Sequence, residues 1–216
     1  MTEKDAADLV EWYDKLADGY DELYAAEQSS KYDAALNAVA SRRFGIAVDA
    51  GCGTGLFLER LRAICDLVLG VDVSHEMLAK AKVRCRDSSV SLVRADCSAL
   101  PLRDCIADCV FVISLLKPGA VMTQQLGELS RITRMEGILV GTMFREGGEK
   151  PVLVEKGLES NTKWWNLSVR EVLFLARRAM LLELVVRFPG AVDSCQLVLT
   201  SGGEGVRWRD VFAAES

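Results

Sequence analysis

Over the first forty-odd positions, apolar residues recur at steps of three and four. Leu9, Trp12, Tyr13, Leu16, Tyr20, Leu23 and Tyr24 mark a helix that Gly19 weakens or breaks midway. A second helix is expected from about Ser30 to Arg43, closed by Phe44-Gly45, because glycine suits a helix C-terminus. The pattern then changes. Ile46-Ala47-Val48-Asp49-Ala50 is a short apolar run of the kind that forms a strand buried on both faces. A glycine loop follows, then a helix with Leu56, Phe57, Leu61 and Ile64 on one face. Leu67 to Val73 is a second strand, and Ser74 is a good N-cap for a helix to about Cys85. Val90 to Arg94 and Ala107 to Leu115 are further strands, and a helix from about Met122 to Arg134 leads to a fifth, Ile138 to Phe144. Past Glu146 the order differs. A loop rich in charge and glycine runs to Asn166, and Leu167-Ser168 opens a helix to about Ala179. Leu181 to Phe188 and Ser194 to Thr200 are strands joined by Pro189-Gly190, a hairpin.

Strands alternating with helices imply a parallel sheet covered on both faces, and right-handed crossovers make it doubly wound. One domain accommodates the 216 residues: a helical cover over 1–45, an α/β core over 46–145, and a loop, helix and hairpin over 146–216. With 50% hydrophobic and 26% charged residues, disorder, collagen and coiled coil are excluded. Residues 1–45 hold ten acids against five bases, which leaves 21 of each beyond them. That balance argues against a core that grips nucleic acid by bulk charge. The seven cysteines are scattered with no C-x-x-C pair. The acidic amino terminus lacks an apolar signal core, and apolar runs fall far short of the about 20 residues that span a bilayer. A soluble cytoplasmic protein with reduced cysteines is expected.

The informative segment is Val48-Asp49-Ala50-Gly51-Cys52-Gly53-Thr54-Gly55, between a strand and a helix. Glycines at alternate positions let the backbone turn tightly and approach a ligand closely. The helix N-terminus behind the loop favours an anionic group. The dinucleotide spacing is G-x-G-x-x-G, whereas this loop reads G-x-G-x-G with Asp49 just before it. A carboxylate there repels a pyrophosphate and favours an ammonium group, so a ligand with an amino-acid moiety fits better than NAD. Asp72, closing Leu69-Gly70-Val71-Asp72, is placed to accept from both hydroxyls of a ribose. Asp96 with Cys97 follows the third strand, where a carboxylate can accept from an exocyclic adenine amine and the next N–H can serve a ring nitrogen.

With these motifs in place, the chain resembles the class I S-adenosylmethionine-dependent methyltransferases. Asp49 to Gly55 is similar to their glycine motif, Gly70-Val71-Asp72-Val73-Ser74-His75-Glu76-Met77-Leu78 to their ribose motif, and Ala95-Asp96-Cys97-Ser98-Ala99-Leu100-Pro101 to their adenine motif. Glu136-Gly137-Ile138-Leu139 resembles the segment before their fifth strand, where K-P-G-G is commoner. Tyr13-Asp14 and Gly19-Tyr20-Asp21 resemble a lid motif in which a tyrosine closes over the methionine part of the cofactor. Glu27-Gln28-x-x-Lys31-Tyr32 is similar to a segment of small, mostly archaeal members of unassigned substrate.

The resemblance implies a Rossmann-like, doubly wound, seven-stranded, mostly parallel sheet with a C-terminal antiparallel hairpin and an N-terminal helical lid. The lid covers 1–45, the cofactor-binding core 46–145, and the substrate side 146–216. S-adenosylmethionine is the implied cofactor. The implied cofactor-binding residues are Tyr13, Tyr20, Asp49, Gly51, Cys52, Gly53, Gly55, Asp72, Val73, Met77, Asp96, Cys97 and Ser114. No catalytic base and no metal site can be named.

The acceptor stays open. Ile113-Ser114-Leu115-Leu116-Lys117-Pro118 stands where methylases of exocyclic nucleobase amines carry Asn/Asp-Pro-Pro-Tyr/Phe, so that chemistry is disfavoured. A small molecule comes first, ahead of RNA and protein. An activator subunit or a homodimer, and a non-catalytic cofactor-binding interaction protein, stand as alternatives. An NAD-dependent oxidoreductase is disfavoured by the loop spacing. His75, the one histidine, sits at a helix start as an edge or solvent residue rather than a base. Cys105-x3-Cys109 reads as core rather than metal-binding, and Lys80, Lys82, Arg84 and Arg86 as a solvated basic face before an RNA footprint. Lys163-Trp164-Trp165 either builds a substrate pocket or caps the core.

Overall fold

A computed structural model describes residues 3–39, 42–116, 120–144, 180–186 and 193–201. Two helices come first, α1 (Glu3–Leu16) and α2 (Tyr20–Ala38). They are followed by β1 (Phe44–Ala50), α3 (Leu56–Leu61), β2 (Cys65–Asp72), α4 (His75–Arg84) and β3 (Val90–Arg94). Then come β4 (Ala107–Leu116), α5 (Ala120–Ile132), β5 (Thr133–Phe144), β6 (Met180–Val186) and β7 (Asp193–Ser201). The strands form one sheet in the order β3-β2-β1-β4-β5-β7-β6. β1 to β5 run parallel, and β7 is antiparallel to both β5 and β6. Strand order reverses between β1 and β4. In open α/β sheets that reversal leaves a crevice at the carboxyl ends of the strands.

The apolar run of the first strand does what a central parallel strand requires: Ala47, Val48 and Ala50 are fully buried. Alternate residues serve opposite faces. Val48, Ala50, Val71, Val110 and Val112 pack with Leu126, Leu129 and Ile132 of α5. Ala47, Val68, Cys109 and Phe111 pack with Tyr32 and Ala35 of α2, Phe57 and Leu61 of α3, and Leu78 and Ala81 of α4. Tyr32 stacks on Phe57 at 4.5 Å, and Phe57 meets Phe111 edge-on at 5.1 Å. This row of rings fastens α2 and α3 to the sheet.

Several boundaries differ from the pattern. Gly19 breaks the expected helix and precedes a separate one, so α2 starts at Tyr20 rather than Ser30 and ends at Ala38. Phe44-Gly45 opens β1, with Phe44 buried and paired to Cys65, and is not a helix end. Glu136-Gly137 lies inside β5, because the β4–β5 register slips between Ala107 and Cys109 and absorbs extra residues there. Between β3 and β4 the chain passes in turns without a helix. The loop over 146–166, the helix over 168–179 with Lys163-Trp164-Trp165 before it, and Pro189-Gly190 lie outside the described residues.

Gly55 joins the loop after β1 to this packing. Its φ is +82°, and a Cβ there would sit 3.0 Å from Ala81 Cβ and 3.1 Å from Ala81 Cα. Gly55→Ala is therefore expected to cost about 2–3 kcal/mol from backbone strain and overpacking. Urea unfolding checks this as a lowered midpoint at constant slope. An unmoved midpoint means that the loop does not pack on α4 in this way.

Candidate functional site

β1 ends in Asp49-Ala50, and the chain turns through Gly51, Gly53 and Gly55 at φ of 81°, 52° and 82°. Glycine reaches these angles without strain. The Val71 carbonyl accepts from the Gly51 and Cys52 N–H groups at 2.8 and 2.9 Å, so the loop is sewn to β2. Asp72 completes the seam. Its Oδ2 accepts the Gly53 N–H at 2.8 Å and its Oδ1 the Ser74 N–H at 2.9 Å. Ser74 caps α4, with its Oγ accepting from the Met77 N–H at 3.1 Å. A Cβ added to Gly53 would meet nothing within 4 Å, so the backbone there is open to close approach. α3, behind the loop, is only six residues long. Its dipole is correspondingly weak, and the loop's own N–H groups matter more.

One cleft gathers most of the expected residues. Gly51, Gly53, Asp72, Val73 and Met77 line it, with Asp96 and Cys97 beyond β3, Ser114 at the end of β4, and Tyr13 and Tyr20 from the helical cover. Asp49, Cys52 and Gly55 do not line it. Asp49 and Cys52 lie beneath the loop at 3% and 6% exposure, and Gly55 packs on α4. Asp96 is exposed, and its Oδ1 accepts from both the N–H and the hydroxyl of Ser98 at 2.7 Å, so it also forms a turn. Leu9, Val10, Ala95, Ile113, Leu115, Val121 and Gln125 line the cleft as well and were not expected there. Leu9 stands four residues before Tyr13 on one helix and Ala95 adjoins Asp96, so those two were within reach of the pattern. Nothing in the sequence singles out Val121 or Gln125.

The electrostatics are unusual. The Asp49 carboxyl is buried and has no hydrogen-bond partner among the described residues. Burial, and then the neighbouring Asp72 carboxylate, push its pKa up to about 8. Burial raises Asp72 too, against the opposing effect of the Ser74 and Gly53 N–H groups. Tyr13 and Tyr20 are held above the usual phenol range, chiefly by burial, with Asp72 adding to it. Both phenols therefore stay protonated and can donate.

The helical cover is tied to α4 by three acids. The Ser74 hydroxyl donates to Asp14, which also accepts the Glu76 N–H at 3.3 Å. Lys80 pairs with Asp18 at 2.5 Å. Asp21 accepts from Arg84 and from the Thr54 hydroxyl, each at 2.5 Å. The basic run on α4 is thus not one solvated face: Lys80 and Arg84 turn to the cover, and Lys82 and Arg86 are exposed. His75 is exposed at the start of α4. Cys109 is core, but Cys105 is exposed, so that pair does not share one environment.

At the far side of the cleft, Ser114 has φ +57° and falls where the β4–β5 register shifts between Val112 and Leu116. Its Oγ accepts from Lys31 Nζ at 2.8 Å and lies 3.1 Å from Gln28 Nε2. Lys31, only 1% exposed, also donates to Glu27 Oε1 at 2.7 Å. Burial lowers its pKa against the opposing effect of Glu27. The sequence marked this segment only through a family likeness and assigned these side chains no place in the cleft.

Residues 48–141 match a methyltransferase domain family. The malonyl-[acyl-carrier protein] O-methyltransferase of Hamiltonella defensa subsp. Acyrthosiphon pisum is 33% identical over 103 residues, which is 48% of this chain and 39% of that protein. The chain spans 31–39% of the length of such curated relatives. Among solved structures, a chain from the complex between the Haloferax volcanii Trm112 methyltransferase activator and the putative methyltransferase has a TM-score of 0.68 at 18% identity, covering 88% of this chain and 98% of that one. The N-methyltransferase NodS from Bradyrhizobium japonicum WM9, solved with S-adenosyl-L-homocysteine, has a TM-score of 0.62 at 17% identity, covering 81% and 87%. At those identities the likeness is one of fold. Fold and domain match together define the class: a Rossmann-like α/β domain with its site at the strand carboxyl ends. Residues 48–141 thus match a methyltransferase domain, and the likeness of the chain is to S-adenosylmethionine-dependent methyltransferases.

Asp49 gives a pH prediction. Its carboxyl is raised in the fold from an ordinary 3.8 to about 8. Between those values the unfolded chain releases a proton that the folded chain keeps, so this group makes stability fall as pH rises from about 4 to about 8. Asp49→Asn is expected to flatten that decline in the ligand-free protein and to raise stability most at pH 8. Asp72 keeps part of the slope, since it is raised in the same direction. Urea unfolding at pH 5 and pH 8 reads this directly. Parallel pH profiles for the two proteins would show that Asp49 ionises freely in the fold.

Proposed function

We propose that this chain transfers a methyl group from S-adenosylmethionine to a small-molecule acceptor. The observation that carries the reading is the cleft itself, which brings Asp72, the open glycine backbone and Asp96 with Cys97 together at the ends of adjacent strands. The residues fit the cofactor. Asp72 at the end of β2 suits a ribose diol, and the buried carboxyl of Asp49, without a hydrogen-bond partner among the described residues, suits an ammonium group, reached directly or through water. Val73 and Met77 would border the ribose, Asp96 and Cys97 the adenine, and the Gly51–Gly55 backbone the methionine chain. When bound, the cofactor supplies a methyl already activated by a sulfonium, so the protein's task is to position the acceptor and exclude water.

Residues 1–45 would serve as a lid, with the Tyr13 and Tyr20 phenols closing on the cleft and Asp14, Asp18 and Asp21 fastening it to α4. Residues 46–145 would bind the cofactor, and 146–216, with the antiparallel β6 and β7, would face the acceptor. The names of the malonyl-[acyl-carrier protein] O-methyltransferase relatives support an oxygen acceptor. No helix among the described residues is long and apolar enough to cross a membrane. Six cysteines are free among the described residues, which supports a reducing, cytosolic place for the reaction.

A second reading also has support. Leu67 and Val83 stand 52% and 65% exposed, and the structural neighbour from the Trm112 complex was solved with an activator. A partner-dependent subunit would use such surface.

Calorimetric titration with S-adenosylhomocysteine, with NAD as control, tests the proposal. Micromolar binding of the first and none of the second is expected. Asp72→Ala is expected to weaken binding by about 1.5–3 kcal/mol, roughly tenfold to over a hundredfold. Unchanged affinity in that variant removes Asp72 from the site. Absence of binding by the isolated wild type, restored by a partner, selects the second reading.

A further inference from the structure

The chain between β3 and β4, residues 95–106, has no helix or strand of its own, so its backbone groups must find partners elsewhere. Its start carries the two groups that face the cleft beyond β3, Asp96 and Cys97. Asp96 Oδ1 is engaged inside the turn, by the Ser98 N–H and hydroxyl, which leaves Oδ2 for a ligand. The turn is held from both sides. Before it, the Ala95 N–H donates to the Asp72 carbonyl at 3.0 Å. After it, the Leu100 N–H donates to Glu128 Oε2 of α5 at 2.8 Å. The stretch from Asp96 to Ala99 is thus suspended between a strand end and a helix.

The second anchor is completed by one arginine. Arg131 stands three residues after Glu128 on α5, and its guanidinium makes five hydrogen bonds. Nε and Nη2 grip the Glu128 carboxylate as a fork, at 2.8 and 2.7 Å. Nη2 also donates to the Leu100 carbonyl at 2.9 Å, and Nη1 to the Leu102 carbonyl and Asp104 Oδ1, each at 2.7 Å. The Arg131 carbonyl accepts the Cys105 N–H at 2.9 Å. From Leu100 to Cys105 the loop is therefore fastened to Arg131 and its partner Glu128. Lysine has three donors and no planar fork, so it cannot make this set. α5 is seated on the sheet by Leu126, Leu129 and Ile132, so the polar set is not needed to hold the helix; what it holds is the loop. Arg131 does not line the cleft and acts on it only through residues 95–106.

We infer that Arg131, braced by Glu128, is a positioning residue that holds the Asp96 carboxylate and the Cys97 N–H where together they select the base of the cofactor. The inference rests on the cofactor reading above and adds to it the part of the chain that makes the base end selective. An amino-purine offers an exocyclic donor to Asp96 Oδ2 and a ring acceptor to the Cys97 N–H. A 6-oxo purine reverses both, setting a carbonyl oxygen against the carboxylate and a ring N–H against the Cys97 N–H. Discrimination of this kind requires both groups to be fixed at once, because a loop free to shift by about 1 Å relieves the clash and loses the match together. The clamp grips the loop away from the cleft wall, so a bound ligand does not compete for its hydrogen bonds. Loss of Arg131 takes that donor from the Leu100 and Leu102 carbonyls and returns residues 96–104 to the mobility ordinary for a surface loop.

The test uses the full chain and two unreactive ligands, S-adenosylhomocysteine and its 6-oxo analogue S-inosylhomocysteine, each titrated by calorimetry. The wild type is expected to bind the first at least about tenfold more tightly. Arg131→Met is expected to lose about tenfold or more toward S-adenosylhomocysteine and less than about threefold toward the 6-oxo analogue, so that the ratio falls toward one. A general loss of folded protein lowers both affinities by the same factor and leaves the ratio unmoved. Arg131→Lys, which keeps the charge but not the fork, is expected to show an intermediate ratio, and it takes the place of Arg131→Met if that variant does not fold. Arg134→Met, which removes an exposed arginine paired with Asp108 near the start of β4, is expected to keep the wild-type ratio. Hydrogen exchange read by mass spectrometry checks the clamp without ligand: the Arg131 variant should lose protection over residues 96–106 and keep it over β1 and β2. A wild-type ratio in the Arg131 variant, or unchanged protection of that loop, overturns the inference. Equal binding of the two ligands by the wild type overturns it as well, because the base is then not selected there. Failure of the wild type to bind S-adenosylhomocysteine overturns the methyltransferase reading instead, and the inference falls with it.

Discussion

The cleft hangs on the Asp72 carboxylate and the two backbone N–H groups it accepts. A carboxylate drawn into a partly dry crevice is costly unless it is hydrogen-bonded, and here the donors come from opposite directions. Gly53 N–H arrives from the loop after β1, and Ser74 N–H from the start of α4. Each such bond to a charged group contributes on the order of 1.5–3 kcal/mol. The pair therefore fixes the loop against the neighbouring strand and sets the first turn of α4. Ser74 then carries the tie outward, since its hydroxyl reaches Asp14 of the helical cover. One side chain thus connects the glycine loop, the start of α4 and the attachment of the amino-terminal helices.

The same acids make the ligand-free cleft uncomfortable. Burial and the Asp72 carboxylate raise the cost of ionising Asp49, which has no hydrogen bond among the described residues to offset its burial. A core chosen for stability alone would not keep such a group. Its retention is intelligible if a cation belongs beside it. Stability is then traded for a site whose charge is completed by the ligand, the usual direction of conflict between stability and function.

Most of the cleft at the ends of β1 to β3 was legible in the chain because its signals are local. Gly51, Gly53 and Gly55 announce a turn that only positive φ can make, and the structure gives all three that conformation. Asp72 announces itself as the last residue of an apolar run, and Ser74 as a cap, which its bond to the Met77 N–H makes good. Strand positions followed from unbroken apolar stretches. Asp49 and Cys52 are buried and do not line the cleft, and sequence spacing does not tell which side of a turn a side chain takes. The register slip in β5 and the attachments of Lys80 and Arg84 were not legible either. All depend on partners dozens of residues away, such as Asp18 and Asp21.

α2 shows why the remainder stayed hidden. Its buried face is not a stripe of one kind of residue. Tyr32 and Ala35 are buried against the sheet, and so are Gln28 and Lys31, which reach the end of β4. A polar residue on a buried face erases the apolar period from which a helix is recognised, and the start of α2 was accordingly misplaced by ten residues. Disagreement between local pattern and fold is expected where the chain serves a site rather than its own packing. The segment lies ahead of the matched family domain, which begins at residue 48, so the domain match assigns it no role. The polar groups at the far end of the cleft come from outside that domain, on a helix whose sequence looks wrong for its burial until Ser114 is placed beside it.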